Sequence, residues 1–184
     1  LAMIGSHFLQ RRLPYFPDPV RMPPAGLGLA GVEERVIATP DGHQLIAWWS
    51  RARPSMPTLL YFHGNAGSLA SRTERIARCR GRGIGVYMMT YRGYGGSTGS
   101  PSEAGLQADA AAIYDHLSER HPELSVIGRS LGSGVAVHLA SIRDVHRLVL
   151  VTPFDSLVNV AREHFRYLPV GWLMRERYES AKRV

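Results

Sequence analysis

Short runs of apolar residues alternate with stretches of helical periodicity over most of the chain. The apolar runs stand at 58–62, 84–90, 124–127 and 148–151, and the helical stretches at 68–82, 102–121, 130–142, 156–167 and 171–181. A continuous apolar run is typical of a strand that is covered on both faces. The alternation therefore predicts β-α-β units with right-handed crossovers, joined into a mainly parallel sheet with helices on both faces.

The N-terminal part of the chain has a different pattern. Residues 1–31 are rich in proline and glycine, which argues against regular helix or inner strand and predicts an extended arm on the domain surface. Two strands, 32–39 and 43–50, follow, joined by the turn Pro40-Asp41-Gly42. We expect this hairpin to form an antiparallel edge of the sheet. The chain thus divides into the arm, 1–31, and a core domain, 32–184.

The charge and the cysteine content narrow the classes of function. The net charge is +7, and Lys182 is the only lysine among the basic residues. The arginines are scattered and accompany no nucleic-acid-binding motif, so we expect no nucleic-acid partner. The single cysteine, Cys79, excludes a disulfide within the chain and a cysteine-based zinc site. We expect neither a metal nor a cofactor.

The cellular location stays open between the cytoplasm and a membrane. The sequence holds no continuous apolar run of about 18 residues, the length that crosses a bilayer. Residues 1–5 are short and apolar, and Arg11-Arg12 follows them. This start has two interpretations: the end of an upstream anchor or signal segment, or a frayed terminus.

The pentapeptide Gly128-Arg129-Ser130-Leu131-Gly132 stands between a predicted strand and a predicted helix. In this setting, Gly-x-Ser-x-Gly is typical of a nucleophile elbow, whose strained turn lifts the serine hydroxyl above the carboxyl end of the sheet. Glycine is needed on both sides because strand and helix close together there. We therefore predict that Ser130 is the attacking residue of a hydrolase. The alternative is a phosphate-binding loop or a helix cap, but no Walker lysine accompanies the pattern.

A second loop, His63-Gly64-Asn65-Ala66-Gly67, directly follows the apolar run 58–62. In the hydrolase arrangement such a loop provides one N–H group of the oxyanion hole, and the residue after the nucleophile provides the other. This predicts the backbone N–H groups of Asn65 and Leu131 as the two donors. His63 is a candidate general base, but it precedes the serine in the chain. We expect it instead to order the loop by hydrogen bonding.

A third loop, 91–99, follows the apolar run 84–90 and so lies at the same edge of the sheet. Arg92 has two interpretations. It binds a substrate anion or pairs with an acid at the end of the sheet, or it belongs to a structural network with backbone groups, which we favour. Tyr94 and its aromatic neighbours either line an acyl pocket or simply pack.

Together these segments resemble the Bem46-like α/β-hydrolases, near the ABHD12/13/17 group. The segments that carry the resemblance are 60–67, 91–99, 101–110, 128–134 and 153–156, and the similarity covers nearly the whole chain. The resemblance implies an α/β-hydrolase fold. It also implies a serine hydrolase that acts on esters, thioesters or lipid acyl bonds through a Ser-His-Asp triad, often with an N-terminal membrane anchor.

The resemblance further implies an acid in a His-Gly-x-x-Asp segment after another strand, and a base in a Gly-His segment near the end. Neither segment occurs before Val184. We expect two further strands and both triad partners in a continuation. An internal triad of Ser130, Asp155 and His164 has the right chain order, but we expect Asp155 to cap the following helix instead.

Two hypotheses for function follow. In the first, a small-molecule or lipid acyl substrate forms an acyl-enzyme on Ser130, and residues 1–184 alone are poorly active because they lack the base. In the second, the chain is a truncated or degenerate hydrolase fold that binds a lipid or a protein partner. An exposed sheet edge would then invite a homodimer.

Overall fold

The computed structural model describes residues 15–164, 174 and 176–183. The strands are β1 (Glu33–Ala38), β2 (Gln44–Ser50), β3 (Thr58–Phe62), β4 (Gly85–Met89), β5 (Ser125–Arg129) and β6 (Arg147–Val151). The helices are α1 (Thr73–Gly81), α2 (Glu103–Ser118), α3 (Leu131–Ile142) and α4 (Leu157–His164). Short 3-10 turns stand at Pro24–Leu27, Leu69–Arg72 and Ser180–Lys182.

The strands form one sheet in the order β1-β2-β4-β3-β5-β6. Strand β3 pairs in parallel with β4 and β5, and β5 pairs in parallel with β6. The hairpin β1–β2 is antiparallel and joins the sheet through antiparallel pairing of β2 with β4. This topology confirms the predicted α/β-hydrolase fold, with a mainly parallel sheet and an antiparallel N-terminal hairpin.

Two apolar cores cover the two faces of the sheet. Along β3, Leu60 and Phe62 belong to the core under α2 and α3, whereas Tyr61 belongs to the core under α1. Ile76 of α1 and Leu139 of α3 are buried on opposite faces. Because β3 is buried on both sides, its position and direction are firmly determined, and so is the loop that leaves its carboxyl end.

The register of β3 against β5 brings two predicted loops together. Phe62, the last residue of β3, lies opposite Gly128 in the parallel pairing. Because the two strands are parallel, their carboxyl ends lie at nearly the same level of the sheet. The loop 63–67 and the turn at Ser130 consequently begin side by side at the carboxyl edge of the sheet, where open α/β folds place their ligands.

The described part of the N-terminal arm packs along the domain. Leu29 is buried in the core beside α1, and Tyr15 is buried in the other core. Phe16 forms an isolated parallel bridge with Ala66, so the arm crosses the loop that follows β3. No helix among the described residues is long and apolar enough to span a membrane.

Several element boundaries differ from the sequence prediction. The stretch 68–82 begins as the turn Leu69–Arg72 before α1 starts, and β5 runs two residues beyond the predicted end at 127. Helix α2 starts after Ser102, whose hydroxyl caps it by accepting from the Gly105 N–H over 3.1 Å, and it ends at Ser118. Residues 165–167 of the predicted stretch 156–167 lie outside the described residues.

The prediction of a helix at 171–181 is wrong for 176–179, which are not helical. Tyr178 has a φ of +42°, which a right-handed helix does not allow. Glu176 and Tyr178 are buried instead, and both bond to the hydroxyl of Tyr15. Residues 171–173 and 175 lie outside the described residues.

Candidate active site

Ser130 forms a sharp turn between β5 and α3. Its backbone angles, φ 49° and ψ −120°, lie in a region that non-glycine residues rarely adopt. The Ser130 N–H donates to the Val151 carbonyl over 3.0 Å, and the Ser133 N–H donates to the Ser130 carbonyl over 2.7 Å. Ser130 is exposed. A strained backbone beneath an exposed hydroxyl is the geometry of a nucleophile elbow.

Two glycines let the strands and the helix close together behind this turn. A Cβ atom at Gly128 would overlap the Gly132 carbonyl and lie 2.6 Å from the Cβ of Ala136. A Cβ atom at Gly132 would overlap the carbonyl group of Phe62, with the carbonyl carbon 2.6 Å away. Neither position tolerates a side chain without a backbone shift, so the spacing of the pentapeptide follows from packing at the elbow.

The loop after β3 lies directly against the serine. An ideal Cβ built on Gly64 would stand 3.5 Å from the Ser130 Cβ and 3.6 Å from the Arg129 carbonyl oxygen. Leu131 is the first residue of α3, and the N–H groups of a helix's first turn have no partner within the helix. The two predicted oxyanion-hole segments, around Asn65 and at Leu131, therefore flank the Ser130 side chain.

The side chain of Asn65 fastens this loop to two neighbouring segments. Its Oδ1 accepts a hydrogen bond from the Tyr94 hydroxyl over 2.8 Å and another from the Phe16 N–H over 3.0 Å. The Phe16 N–H also points to the Tyr94 hydroxyl, 3.2 Å away. The sequence indicated Asn65 only as a backbone donor, because nothing local to it reveals a contact with a residue 49 positions earlier.

His63 is buried beneath the loop. Its Nδ1 donates to the Gly64 carbonyl over 2.6 Å, and its ring lies 4.1 Å from the Tyr91 ring, centroid to centroid. The Tyr91 hydroxyl in turn donates to the His63 carbonyl over 2.6 Å. Burial lowers the pKa of His63 to about 4, and the nearby positive charge of Arg72 acts in the same direction. This neutral, enclosed imidazole has the geometry of a residue that orders the loop.

Arg92 lies between two carboxylates. Its guanidinium donates twice to Asp109, over 2.6 and 2.7 Å, and twice to Asp41, over 2.6 and 3.0 Å. Arg92 thereby links the β1–β2 turn to α2, and its hydrogen bonds lower the pKa of Asp41 to about 2, with Thr39 adding a further bond. Arg92 therefore pairs with acidic side chains and not with backbone groups as we expected. These partners give it a structural role and leave its guanidinium engaged by carboxylates of the chain itself.

Tyr94 is also fully enclosed. Burial raises its pKa above the usual value for a phenol, and its hydroxyl is engaged by Asn65 and Phe16. Because Tyr94 is buried and bonded to the loop, its position fits packing and loop ordering better than the lining of an acyl pocket.

Asp155 and His164, the internal alternative to the acid and the base, gain no support from the structure. The carboxylate of Asp155 is exposed and accepts hydrogen bonds from the Ser156 N–H, over 2.6 Å, and from the Asn159 side chain. These bonds lower its pKa. The helix cap is Ser156, whose hydroxyl accepts from the Asn159 N–H over 3.1 Å, not Asp155 as expected. The side chain of His164 lies outside the described residues.

A buried cluster of three side chains, which the sequence did not indicate, packs against α2 and α3. The Tyr15 hydroxyl donates to Glu176 over 3.1 Å and lies 2.8 Å from the Tyr178 hydroxyl. Glu176 also accepts from the Glu103 N–H at the start of α2. Tyr178 packs on Gly134 in the first turn of α3. The cluster joins both ends of the described chain to the helices that carry the site.

Within the described residues, no group of three or more histidine, cysteine or acidic side chains is arranged to hold a metal ion. At the carboxyl edge of the sheet, the exposed Ser130 stands on a strained turn between β5 and α3. Together with the strand order, this turn defines the chain as an α/β-hydrolase.

The chain belongs to the family whose model, described as serine aminopeptidase, S33, matches residues 54–176. Its relatives include an uncharacterized protein, Rv2307c, of Mycobacterium tuberculosis, which is 39% identical over 181 residues, 95% of this chain. Protein bem46 of Schizosaccharomyces pombe is 39% identical over 127 residues, 64% of this chain. The lysophosphatidylserine lipase ABHD12 of Danio rerio is 36% identical over 138 residues, 66% of this chain. These relatives confirm the predicted resemblance to Bem46-like hydrolases.

The chain spans only part of each relative. The matches cover 64% of the M. tuberculosis protein, 42% of the yeast protein and 36% of the fish lipase. Among solved structures, an alpha-beta hydrolase from Vibrio vulnificus is similar with a TM-score of 0.69 and 20% identity, over 85% of this chain and 60% of that one. The Pyrococcus furiosus esterase Pf2001 is similar with a TM-score of 0.64 and 23% identity, over 88% of this chain and 66% of that one. Both likenesses concern the fold.

Proposed function

We propose that the protein is a serine hydrolase that cleaves an ester, a thioester or a lipid acyl bond through an acyl-enzyme on Ser130. The observation that carries the proposal is the strained, exposed backbone of Ser130, with Gly64 of the oxyanion loop against its side chain. Strain of this kind costs free energy and is retained where a side chain must be presented to a ligand. The family and the relatives support a hydrolase without deciding the bond that is cleaved.

In the proposed reaction, the Ser130 hydroxyl attacks the acyl carbonyl and the leaving group departs from a tetrahedral intermediate. The backbone N–H groups of Asn65 and Leu131 stabilise the negative charge of its oxygen. Each such donor contributes about 3 kcal/mol to the transition state. Water then attacks the acyl-enzyme carbonyl, which releases the acid and restores the hydroxyl.

The attack requires a base, because a serine hydroxyl is a weak nucleophile by itself. Among the described residues, no histidine or carboxylate side chain hydrogen-bonds to the Ser130 hydroxyl. His63 donates its Nδ1 proton to Gly64 and is buried, so it is not positioned for this work. We propose that the base and its acid are among side chains that the structure does not describe.

Labelling with a fluorophosphonate tests the nucleophile. We expect the full-length protein to be labelled, Ser130→Ala to abolish labelling, and Ser141→Ala to leave it unchanged. Ser141 is a matched control because it is exposed and lies at the far end of the same helix, α3. Absence of labelling in the full-length protein, or equal labelling of Ser130→Ala, contradicts the proposal.

The class of acyl substrate needs its own experiment. The fish relative is named a lysophosphatidylserine lipase, which makes a lysophospholipid the first lipid to test, beside a short-chain ester and an acyl thioester. We expect at least one of the three to be hydrolysed by the full-length protein and not by its Ser130→Ala variant.

Location at a membrane through an N-terminal segment is a further proposal, tested by fractionation of the full-length protein.

The alternative function, binding of a partner without catalysis, is favoured by strand β6. Within the described residues, β6 pairs on one side only, with β5. Val149 and Val151 are 47% and 39% exposed on it. The free edge of such a strand, with exposed valines, can pair with a second copy around a two-fold axis. We expect Val149→Lys to abolish any dimer found by analytical ultracentrifugation; a dimer that persists excludes this interface.

A further inference from the structure

A cavity of about 650 Å³ opens at the end of the sheet opposite to Ser130. Thr58, which lines the cavity, is the first residue of β3. Ser130 instead follows the last residue of β5, at the carboxyl ends of the parallel strands. Leu117 and His121, at and just past the C-terminal end of α2, line the other side. The volume lies within the usual range of small-molecule sites, about 300 to 1,000 Å³. None of the proposed hydrolase residues lines this cavity.

The lining is strongly basic. Arg35, Arg51 and Arg120 contribute guanidinium groups, and His116 and His121 contribute imidazoles. Among the described residues, no aspartate or glutamate lines the cavity. Arg35 pairs with Glu33 outside it, on the exposed face of β1. Burial lowers the pKa of His121, and the charge of Arg120 adds to this effect, as expected beside uncompensated positive charge.

One wall of the cavity is aromatic. The Trp49 ring lies 5.7 Å from the Tyr87 ring and 5.4 Å from the His121 ring, centroid to centroid, in tilted arrangements. Leu117 is buried beside them and Met56 lies at the surface. An apolar group entering the cavity would therefore meet flat aromatic faces, while an anionic group would meet arginines.

The cavity continues towards the middle of α2. A second cavity, of about 350 Å³, shares the lining residues Arg35, Tyr87 and His116 and extends between β1 and α2. The two cavities form one groove through these shared residues. The lining of the second includes the apolar side chains of Val36 and Ile113 and also Asp109, which pairs with Arg92.

We propose that this groove binds a phosphomonoester that carries an apolar or aromatic group. The phosphate is held by Arg51 and Arg120, because guanidinium groups bind phosphate oxygens with strong, charge-assisted hydrogen bonds. The apolar group lies on Trp49 and Tyr87. The site is separate from Ser130, and its existence does not depend on the proposed hydrolase activity.

Calorimetric titration of the full-length protein with phenyl phosphate and with inorganic phosphate tests the proposal. We expect phenyl phosphate to bind more tightly than inorganic phosphate, because only the former can use the aromatic wall. The double variant Arg51→Gln/Arg120→Gln should bind phenyl phosphate at least about tenfold more weakly, since it loses both charged partners. Trp49→Leu should bring the affinity for phenyl phosphate close to that for inorganic phosphate.

The matched control is Arg78→Gln/Arg82→Gln, which removes two exposed arginines outside the cavity lining. Arg78 lies on α1, which covers the opposite face of the sheet, and Arg82 directly follows that helix. It changes the net charge equally and should keep the affinity within about twofold of the parent. Equal weakening by both double variants, or no binding of phenyl phosphate by the parent protein, overturns the proposal. Among the described residues, Arg51, Arg82 and Arg120 form no ion pair with a carboxylate, and Arg78 forms only an exposed one with Glu74. Neither double variant therefore breaks a buried ion pair, and we expect both to fold.

Flotation with vesicles of phosphatidylcholine and phosphatidic acid identifies the source of the phosphomonoester. Co-flotation that Arg51→Gln/Arg120→Gln abolishes and the control double variant preserves assigns the groove to a lipid headgroup. Binding of phenyl phosphate without co-flotation assigns it to a soluble ester. Co-flotation that survives in Arg51→Gln/Arg120→Gln, without binding of phenyl phosphate, contradicts a phosphate site in the groove.

Discussion

Gly64 and Ser130 meet across the carboxyl edge of the sheet, with an ideal Gly64 Cβ only 3.5 Å from the Ser130 Cβ. This contact exists because β3 and β5 are parallel neighbours that end at the same level. It joins the loop that is proposed to hold the oxyanion to the residue that is proposed to create it.

Gly132→Ala should destabilise the fold, because a Cβ there would overlap the backbone of Phe62. We expect the free energy of unfolding, measured by urea denaturation, to fall by about 2 to 3 kcal/mol, the usual cost of forcing extra volume into a packed site. Gly81→Ala is the control, since a Cβ there meets nothing within 4 Å and the residue lies in α1. It should be neutral or slightly stabilising. Equal losses in the two variants are incompatible with this packing.

Asp109→Asn should be far more damaging than Asp115→Asn, although both residues lie on α2. Asp109 is 1% exposed and pairs with buried Arg92, whereas the Asp115 side chain is 50% exposed and pairs with Arg143. Breaking a buried pair costs on the order of 3 kcal/mol, and breaking an exposed pair less than about 1 kcal/mol. Urea denaturation of the two variants measures the difference. A loss from Asp115→Asn as large as that from Asp109→Asn excludes this role for Arg92.

The pKa of His63, about 4 in the folded chain, predicts a loss of stability in mild acid. The unfolded histidine takes up a proton near its usual pKa of about 6.5, whereas the folded one stays neutral until pH falls to about 4. The free energy of unfolding is therefore unaffected by this histidine above about pH 6.5. It falls by on the order of 3 kcal/mol as pH drops from about 6.5 to about 4. An NMR titration of the imidazole measures the pKa directly. A value near 6.5 would refute the assignment.

Tyr94→Phe should slow the reaction of Ser130 without removing it, because the variant loses the hydroxyl that holds the Asn65 side chain. We expect about tenfold slower fluorophosphonate labelling of the full-length protein and a loss of about 1 kcal/mol in stability. Tyr114→Phe is matched, since it loses a hydroxyl bond to the Asp144 carbonyl far from the loop. It should lose similar stability and keep the labelling rate. If both variants label equally fast, Tyr94 does not position the loop.

Local patterns made most of the fold and part of the site predictable. Consecutive residues predict the apolar runs, the turn at Pro40-Asp41-Gly42 and the elbow glycines, because burial and backbone sterics act over a few positions. Contacts between distant residues leave no pattern in the local sequence. Tyr15 and Tyr178 lie 163 positions apart, and their hydrogen bond replaces the helix that the local pattern at 171–181 suggested.

The roles of individual side chains at the site were predictable only as alternatives. Arg92 allowed either an anion site or a network, and its two carboxylate partners, Asp41 and Asp109, became known only from the fold. The same holds for Asn65, whose side chain binds Phe16 from an arm of irregular structure. A chain segment without regular structure leaves no periodicity from which its docking could be inferred.

The most direct test of the central claim is peptide mapping by mass spectrometry of the full-length protein after reaction with a fluorophosphonate. The account predicts a single phosphonate adduct on the peptide that contains Ser130. An adduct on another serine, with Ser130 unmodified, would contradict it.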